Sequence, residues 1–179
     1  MSRGIKTKDL AEAALLVGIG FLLHAFFPAI VLGMKPDFSL AMMFIVLIVK
    51  KDLKLGFLVA LATGIFTALT TQFPGGQYAN LIDKMVTFLA VSGIIRLLAD
   101  HLDNRIGVGI VTAIGTLISG AVFLGSAALL TGLPGPFSVL YYTVVLPAAV
   151  VNTVTSILIY LAFSYSKKTI SSSKGKEVN

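Results

Sequence analysis

The chain reads as long apolar blocks separated by short polar intervals. Six blocks stand out, at Leu10–Leu32, Phe38–Val49, Leu55–Thr71, Leu81–Leu98, Ile106–Leu130 and Ser138–Phe163. A hydrocarbon core about 30 Å thick takes around 20 residues of helix to cross. Most of the blocks meet or approach that length, but the second would reach about 18 Å at 1.5 Å per residue. It must be shielded by its neighbours, extended into its flanks, or incompletely embedded. The pattern predicts an all-α integral membrane protein of about six transmembrane helices. No repeat with a period of 20 to 50 residues is visible. One six-helix domain is therefore expected over 1–163, followed at 164–179 by a polar, disordered tail in which Ser171, Ser172, Ser173 and Gly175 lie among lysines.

The basic residues orient the spans. Arg3, Lys6, Lys8, Lys50, Lys51, Lys54, Arg96, Arg105, Lys167, Lys168, Lys174 and Lys176 fall on one side, against Lys35 and Lys84 on the other. Twelve against two, alternating with each crossing, predicts both termini in the cytoplasm and an even number of spans. Composition agrees: of 179 residues, 56% are hydrophobic and 12% charged, with a mean hydropathy of +0.95, too apolar for a domain that keeps a charged surface in water. The net charge of +6 is accounted for by these short interfacial clusters, which points to the lipid bilayer and away from nucleic acid. The first block is too long for a signal-peptide core and lacks a convincing small-x-small cleavage site, so it reads as a retained helix of a multi-pass membrane protein. Asp9, three residues before Glu12, has the spacing of a capping box at its start.

The inventory for catalysis is thin. The absence of Cys removes thiol nucleophiles, disulfides and Cys-ligated metals together. No phosphate-binding loop of the form G-x-x-x-x-G-K-[ST] is present, so any ATP-driven motor must be another subunit. His24 and His101 sit in different segments and at different membrane faces, which argues against a metal site. Ser119, Ser126 and His24 exist, but nothing in the sequence joins them into a hydrolytic pair. No enzyme, metal or cofactor is expected.

The outer side carries more information. The first outer connection is Gly33-Met34-Lys35-Pro36-Asp37, and the second runs from Gln72-Phe73-Pro74-Gly75-Gly76-Gln77-Tyr78-Ala79-Asn80 into Leu81-Ile82-Asp83-Lys84; a third, Leu133-Pro134-Gly135-Pro136-Phe137, has no charge. Pro-Gly-Gly marks a non-helical excursion. A lone charge buried at the centre of a span would cost about 2.5 to 3.5 kcal/mol, so Asp83 and Lys84 need partners. These charges are either local interfacial groups beside aromatic anchors, or they present an acid and a base to a zwitterion, with Phe73, Tyr78 or Phe137 covering a planar ring. The interior polar residues Thr67, Thr70, Asn152, Thr153, Thr155 and Ser156 are expected to hydrogen-bond between helices, with Asn152 the preferred ligand contact because its amide both donates and accepts. His24 lies four residues before Pro28, whose missing N–H frees the backbone carbonyl of His24 itself, and a structural partner is expected for its side chain. Ala14 and Gly18 give helix one a small-x-x-x-small surface for close helix approach.

Six short helices, the loop Gly33-Met34-Lys35-Pro36-Asp37 and the run Phe73-Pro74-Gly75-Gly76-Gln77 followed by Asn80, Ile82, Asp83 and Lys84 together resemble the TrpP-type tryptophan transporter family. That family belongs to the substrate-binding (S) components of energy-coupling factor (ECF) transporters. The resemblance implies capture of tryptophan in an outward cavity closed by the outer loops, and delivery through a transmembrane coupling protein and two ATPase subunits. It implies that Ala14 and Gly18 face the coupling protein. For that ligand we expect Asp37 or Asp83 at the ammonium, Lys35 or Lys84 at the carboxylate, Gln77, Asn80 or Asn152 at the indole N–H, and Phe73 and Tyr78 as a lid, with Gly75 and Gly76 also among the substrate-binding residues. A small ion-coupled amino-acid carrier, with His24 and a buried acid as proton relay, is the alternative.

Overall fold

The computed structural model describes residues 4–29, 32–98, 102 and 104–176, the last seven by backbone alone. Arg3 and His101 lie outside the described residues. The elements are α1 (Thr7–Phe26), α2 (Phe38–Lys50), α3 (Leu53–Thr70), α4 (Gly76–Leu97), α5 (Arg105–Leu130), the short α6 (Phe137–Leu140), a π-helical turn (Tyr141–Val145) and α7 (Leu146–Lys176). Helices α1, α3, α4 and α5 and the continuous run from α6 into α7 are each long and apolar enough to cross a membrane.

The short helix α2 is the axis of the bundle. Every residue from Phe38 to Ile48 is buried, and α1, α3, α4, α5 and α7 all pack against it. A helix apolar on all sides has to be enclosed, so the length deficit of the second block is resolved by shielding. Close packing requires small residues opposite its large ones. A Cβ built on Gly115 of α5 would come within 2.5 Å of the Phe44 ring, and one on Gly20 of α1 within 2.9 Å of the Ser39 backbone. The bundle exterior inverts the pattern of a soluble protein: Leu15, Leu22, Leu58, Leu69, Leu89, Leu129 and Leu158 are exposed, a belt suited to lipid.

Several boundaries differ from the hydrophobic pattern, each for a physical reason. Helix α1 stops at Phe26, where the Phe27 N–H reaches Leu23. Pro28 has no N–H to continue the ladder, so it ends the helix instead of kinking it. Asp9 and Glu12 form no capping box. The N-cap is Lys6, without a side-chain cap bond, and both carboxylates turn to Lys50 at the end of α2, Asp9 at 2.6 Å and Glu12 at 2.5 Å, while Lys167 of α7 reaches Glu12 at 3.0 Å. One ionic cluster thus ties α1, α2 and α7 at the end of the bundle that carries the termini. Helix α4 begins at Gly76, so Gln77 to Asn80 are helical and the α3–α4 connection is 71–75. Gly75 makes this sharp entry possible, with a left-handed φ of 69° that other residues rarely adopt. At the other end of the chain, α7 is helical past Phe163 as far as Lys176, through the segment that composition assigned to a tail.

The π-helical turn has a local cause. Pro147 would drive its ring into the carbonyl four residues back, and in the structure the Leu146 N–H bonds Tyr141 instead. The wider turn directs Val144 and Val145 inward.

Candidate functional site

At the end opposite the termini, the helices part around a cavity lined by side chains from α1, α2, α4, α5, α7 and the two connections. Its charged wall is built from α4. Asp83 and Lys84 are 1% exposed, which demands full compensation. Lys84 donates to Asp83 and, at 2.7 Å, to Asp37; Asn80 is a further acceptor at 3.5 Å. Asp83 also accepts from Ser119 and Thr87, both at 2.8 Å. Asp37 is the N-cap of α2, accepting from the Leu40 N–H at 3.0 Å. It therefore joins the start of α2 to α4. His24 lies behind it, its Nδ1 donating to the Pro36 carbonyl at 3.2 Å and standing 3.7 Å from Asp37.

Lys35, in the α1–α2 connection, is the second cation of the cavity. Its Nζ is buried with no hydrogen-bond partner. Burial pushes the ammonium below its usual range, and Asp37 acts in the opposite sense. Two carboxylates and two ammonium groups leave the cavity close to electroneutral. A zwitterion would preserve that balance, whereas an anion or a cation would leave an uncompensated charge at low dielectric.

The rest of the lining is apolar. Phe73 is 2% exposed and meets Phe123 of α5 edge to face at 5.2 Å, and Val144, Val145 and Ala148 add to the apolar lining. Deeper in, Asn152 of α7 donates to Thr116 Oγ1 at 3.4 Å, and its Oδ1 is buried without a partner.

The predicted site residues separate accordingly. Lys35, Asp37, Phe73, Asn80, Asp83, Lys84 and Asn152 come together around the cavity. Gln77 and Tyr78 do not: they lie on the exposed side of the first turn of α4, with Tyr78 67% exposed. Gly75 and Gly76 shape the entry into α4 without lining the cavity. Phe137 stacks on Tyr141 with centroids 6.0 Å apart. Thr67 and Thr70 bond back to carbonyls of their own helix rather than between helices, and Ser156 does the same through Thr153. His24 and Ser119 do share the cavity, but the Ser119 hydroxyl is donated to Asp83, so no histidine-activated nucleophile results. Sequence reasoning missed the contribution of α5. Thr112, Thr116, Ser119, Gly120 and Phe123 follow one another at helical spacing, and that small and polar stripe was the available signal.

Comparison with known proteins identifies the family of the chain. The family model described as "Tryptophan transporter TrpP" matches residues 6–168. A "Probable tryptophan transport protein" of Clostridium acetobutylicum is 40% identical over 163 residues, covering 91% of this chain and 95% of that protein. Proteins of the same description from Clostridium perfringens and Bacillus subtilis are 42% and 45% identical, covering 86% and 87% of this chain and 90% of each relative. No solved structure matches the chain. These relatives are transport proteins and not enzymes, and with its apolar helices the chain is a multi-pass cell-membrane protein. It belongs to the TrpP family of tryptophan transporters.

Proposed function

We propose that this protein captures tryptophan from outside the cell in the α2–α4–α5–α7 cavity and passes it on for import as the substrate-binding component of an ECF transporter. The observation that carries the reading is an electroneutral, aromatic-roofed cavity in a chain whose relatives are named for tryptophan transport. Paired charges suit the ammonium and carboxylate of a free amino acid, and the Phe73–Phe123 roof suits a flat ring. Sidedness follows from the basic residues: Lys35 and Lys84 are the two at the cavity end, so the cavity faces outward and the termini lie in the cytoplasm.

Energy comes from partners in this reading, since the chain has no nucleotide-binding loop. The partners are a transmembrane coupling protein and two ATPase subunits. Their docking face is the small-residue side of α1: Ala14 is exposed, and a Cβ on Gly18 would meet nothing within 4 Å, which leaves room for close approach of another helix. Measurement of labelled tryptophan uptake by cells expressing the chain tests the reading. Uptake is expected to persist under a protonophore while ATP is maintained, and the tagged chain is expected to co-purify with ATPase subunits.

A second reading has one observation of its own. His24 stands 3.7 Å from Asp37, which is itself paired with Lys84, and a protonatable group beside an ion network could couple uptake to a proton. Collapse of uptake under the protonophore with ATP held constant would favour that carrier.

A further inference from the structure

Among the described residues, seven buried side-chain polar atoms have no hydrogen-bond partner, and two of them belong to residues lining the cavity: Lys35 Nζ and Asn152 Oδ1. A buried polar atom left unpaired costs stability. A cation and an acceptor left open in one cavity match a ligand that brings a carboxylate and an N–H.

The charged and amide side chains that α4 brings to the cavity are already committed. Lys84 is held by Asp37 and Asp83. Asp83, 1% exposed, already accepts three bonds, from Lys84, Ser119 and Thr87. Asn80 uses its Nδ2 on the Gly76 carbonyl at 2.8 Å and its Oδ1 on Lys84. None of these can turn to a ligand without breaking a buried bond. Asn152 is fixed for its task by Thr116, which takes its Nδ2 and leaves the Oδ1 free.

Resting on the tryptophan reading, we infer that Asn152 reads the indole N–H through its free Oδ1 and that Lys35 holds the ligand carboxylate, while Asp83 and Lys84 position the cavity without touching the ligand. Among the described residues, Asp37 accepts only from Lys84 and the Leu40 N–H and is partly open at 16% side-chain exposure, so it is the acid with lone pairs to spare for the ammonium. Selection among aromatic amino acids then depends on one hydrogen bond deep in the site as well as on ring shape.

Purified full-length protein tests this with ligands that differ by one group. 3-Benzothienylalanine keeps the shape of tryptophan but replaces the ring N–H with sulfur. The wild-type protein is expected to bind tryptophan about ten- to a hundredfold more tightly than this analogue, the range for one unmet buried hydrogen bond. In Asn152→Leu, nearly isosteric, that preference is expected to fall to within about threefold. Lys35→Met is expected to weaken tryptophan by about tenfold or more while leaving tryptamine, which lacks the carboxylate, nearly unchanged. Equal binding of tryptophan and 3-benzothienylalanine by the wild type would overturn the Asn152 assignment without reference to any variant's folding. Parallel loss of tryptophan and tryptamine in Lys35→Met would overturn the Lys35 assignment. Wild-type protein that binds neither tryptophan nor its analogues would remove the tryptophan reading itself, and these assignments with it.

Discussion

Lys84 and Lys35 are both cations at the same end of the bundle, and their surroundings make them opposites. Lys84 balances two carboxylates across two helices, so Lys84→Met leaves Asp37 and Asp83 facing each other unpaired. Loss of one partner from a buried ion network costs about 3–5 kcal/mol, and a large fall in the melting temperature of the ligand-free protein is the expected result. Lys35 has no hydrogen-bond partner to lose. Lys35→Met is expected to lower the ligand-free melting temperature far less than Lys84→Met, because it removes only a through-space attraction to Asp37. A circular-dichroism melt of both variants in one detergent checks the contrast, and similar destabilisation by the two would contradict it. At this scale the sequence was legible where charge is scarce: Asp37, Asp83 and Lys84 stood out because buried charges need partners. Which charges pair was not legible, because it depends on the N-cap of α2 being brought against α4, a contact between residues far apart in the chain.

At the scale of elements, α2 shows how length and packing trade against each other. It is too short to face lipid across a bilayer, and it survives by being enclosed. Enclosure makes its neighbours' glycines structural. Gly115→Ala would press a methyl group on the Phe44 ring, and overpacking of this kind costs about 1–3 kcal/mol; a lowered melting temperature with little change in cavity-side chemistry is expected. The outer face of α1 is the converse case. Ala14→Phe adds bulk at an exposed position, so binding by the purified protein should be retained while uptake by cells falls if α1 docks on the coupling protein. Parallel loss of both would place Ala14 in the packing of the fold. The six apolar blocks located the helices well, and their ends failed where polar residues belong to a helix. Gln77 and Asn80 read as loop because Pro-Gly-Gly precedes them, although a left-handed Gly75 lets α4 start at once. Glu12 read as a cap because its true partner, Lys50, lies on another helix.

For the whole molecule, charge is concentrated at the two ends of an apolar bundle. At the end with the termini, Lys50 and Lys167 clamp Asp9 and Glu12 and tie α1, α2 and α7. At the other, the Asp37–Lys84–Asp83 network ties α2 to α4 around a cavity with one cation and one amide oxygen still unmet. Family membership supports the ligand class, and the cavity supports its mode of capture. The chain contains no Trp, so fluorescence excited where its tyrosines absorb little comes from the ligand alone. Titration of the purified protein into tryptophan is therefore the most direct measurement. Entry of the ring beneath Phe73 and Phe123 should shift its emission to the blue and raise its anisotropy to a plateau, with reversal by 5-methyl-tryptophan and none by leucine, whose branched chain offers neither a flat ring nor an N–H. An unchanged spectrum and anisotropy at saturating protein, in detergent and again in lipid, would contradict the account.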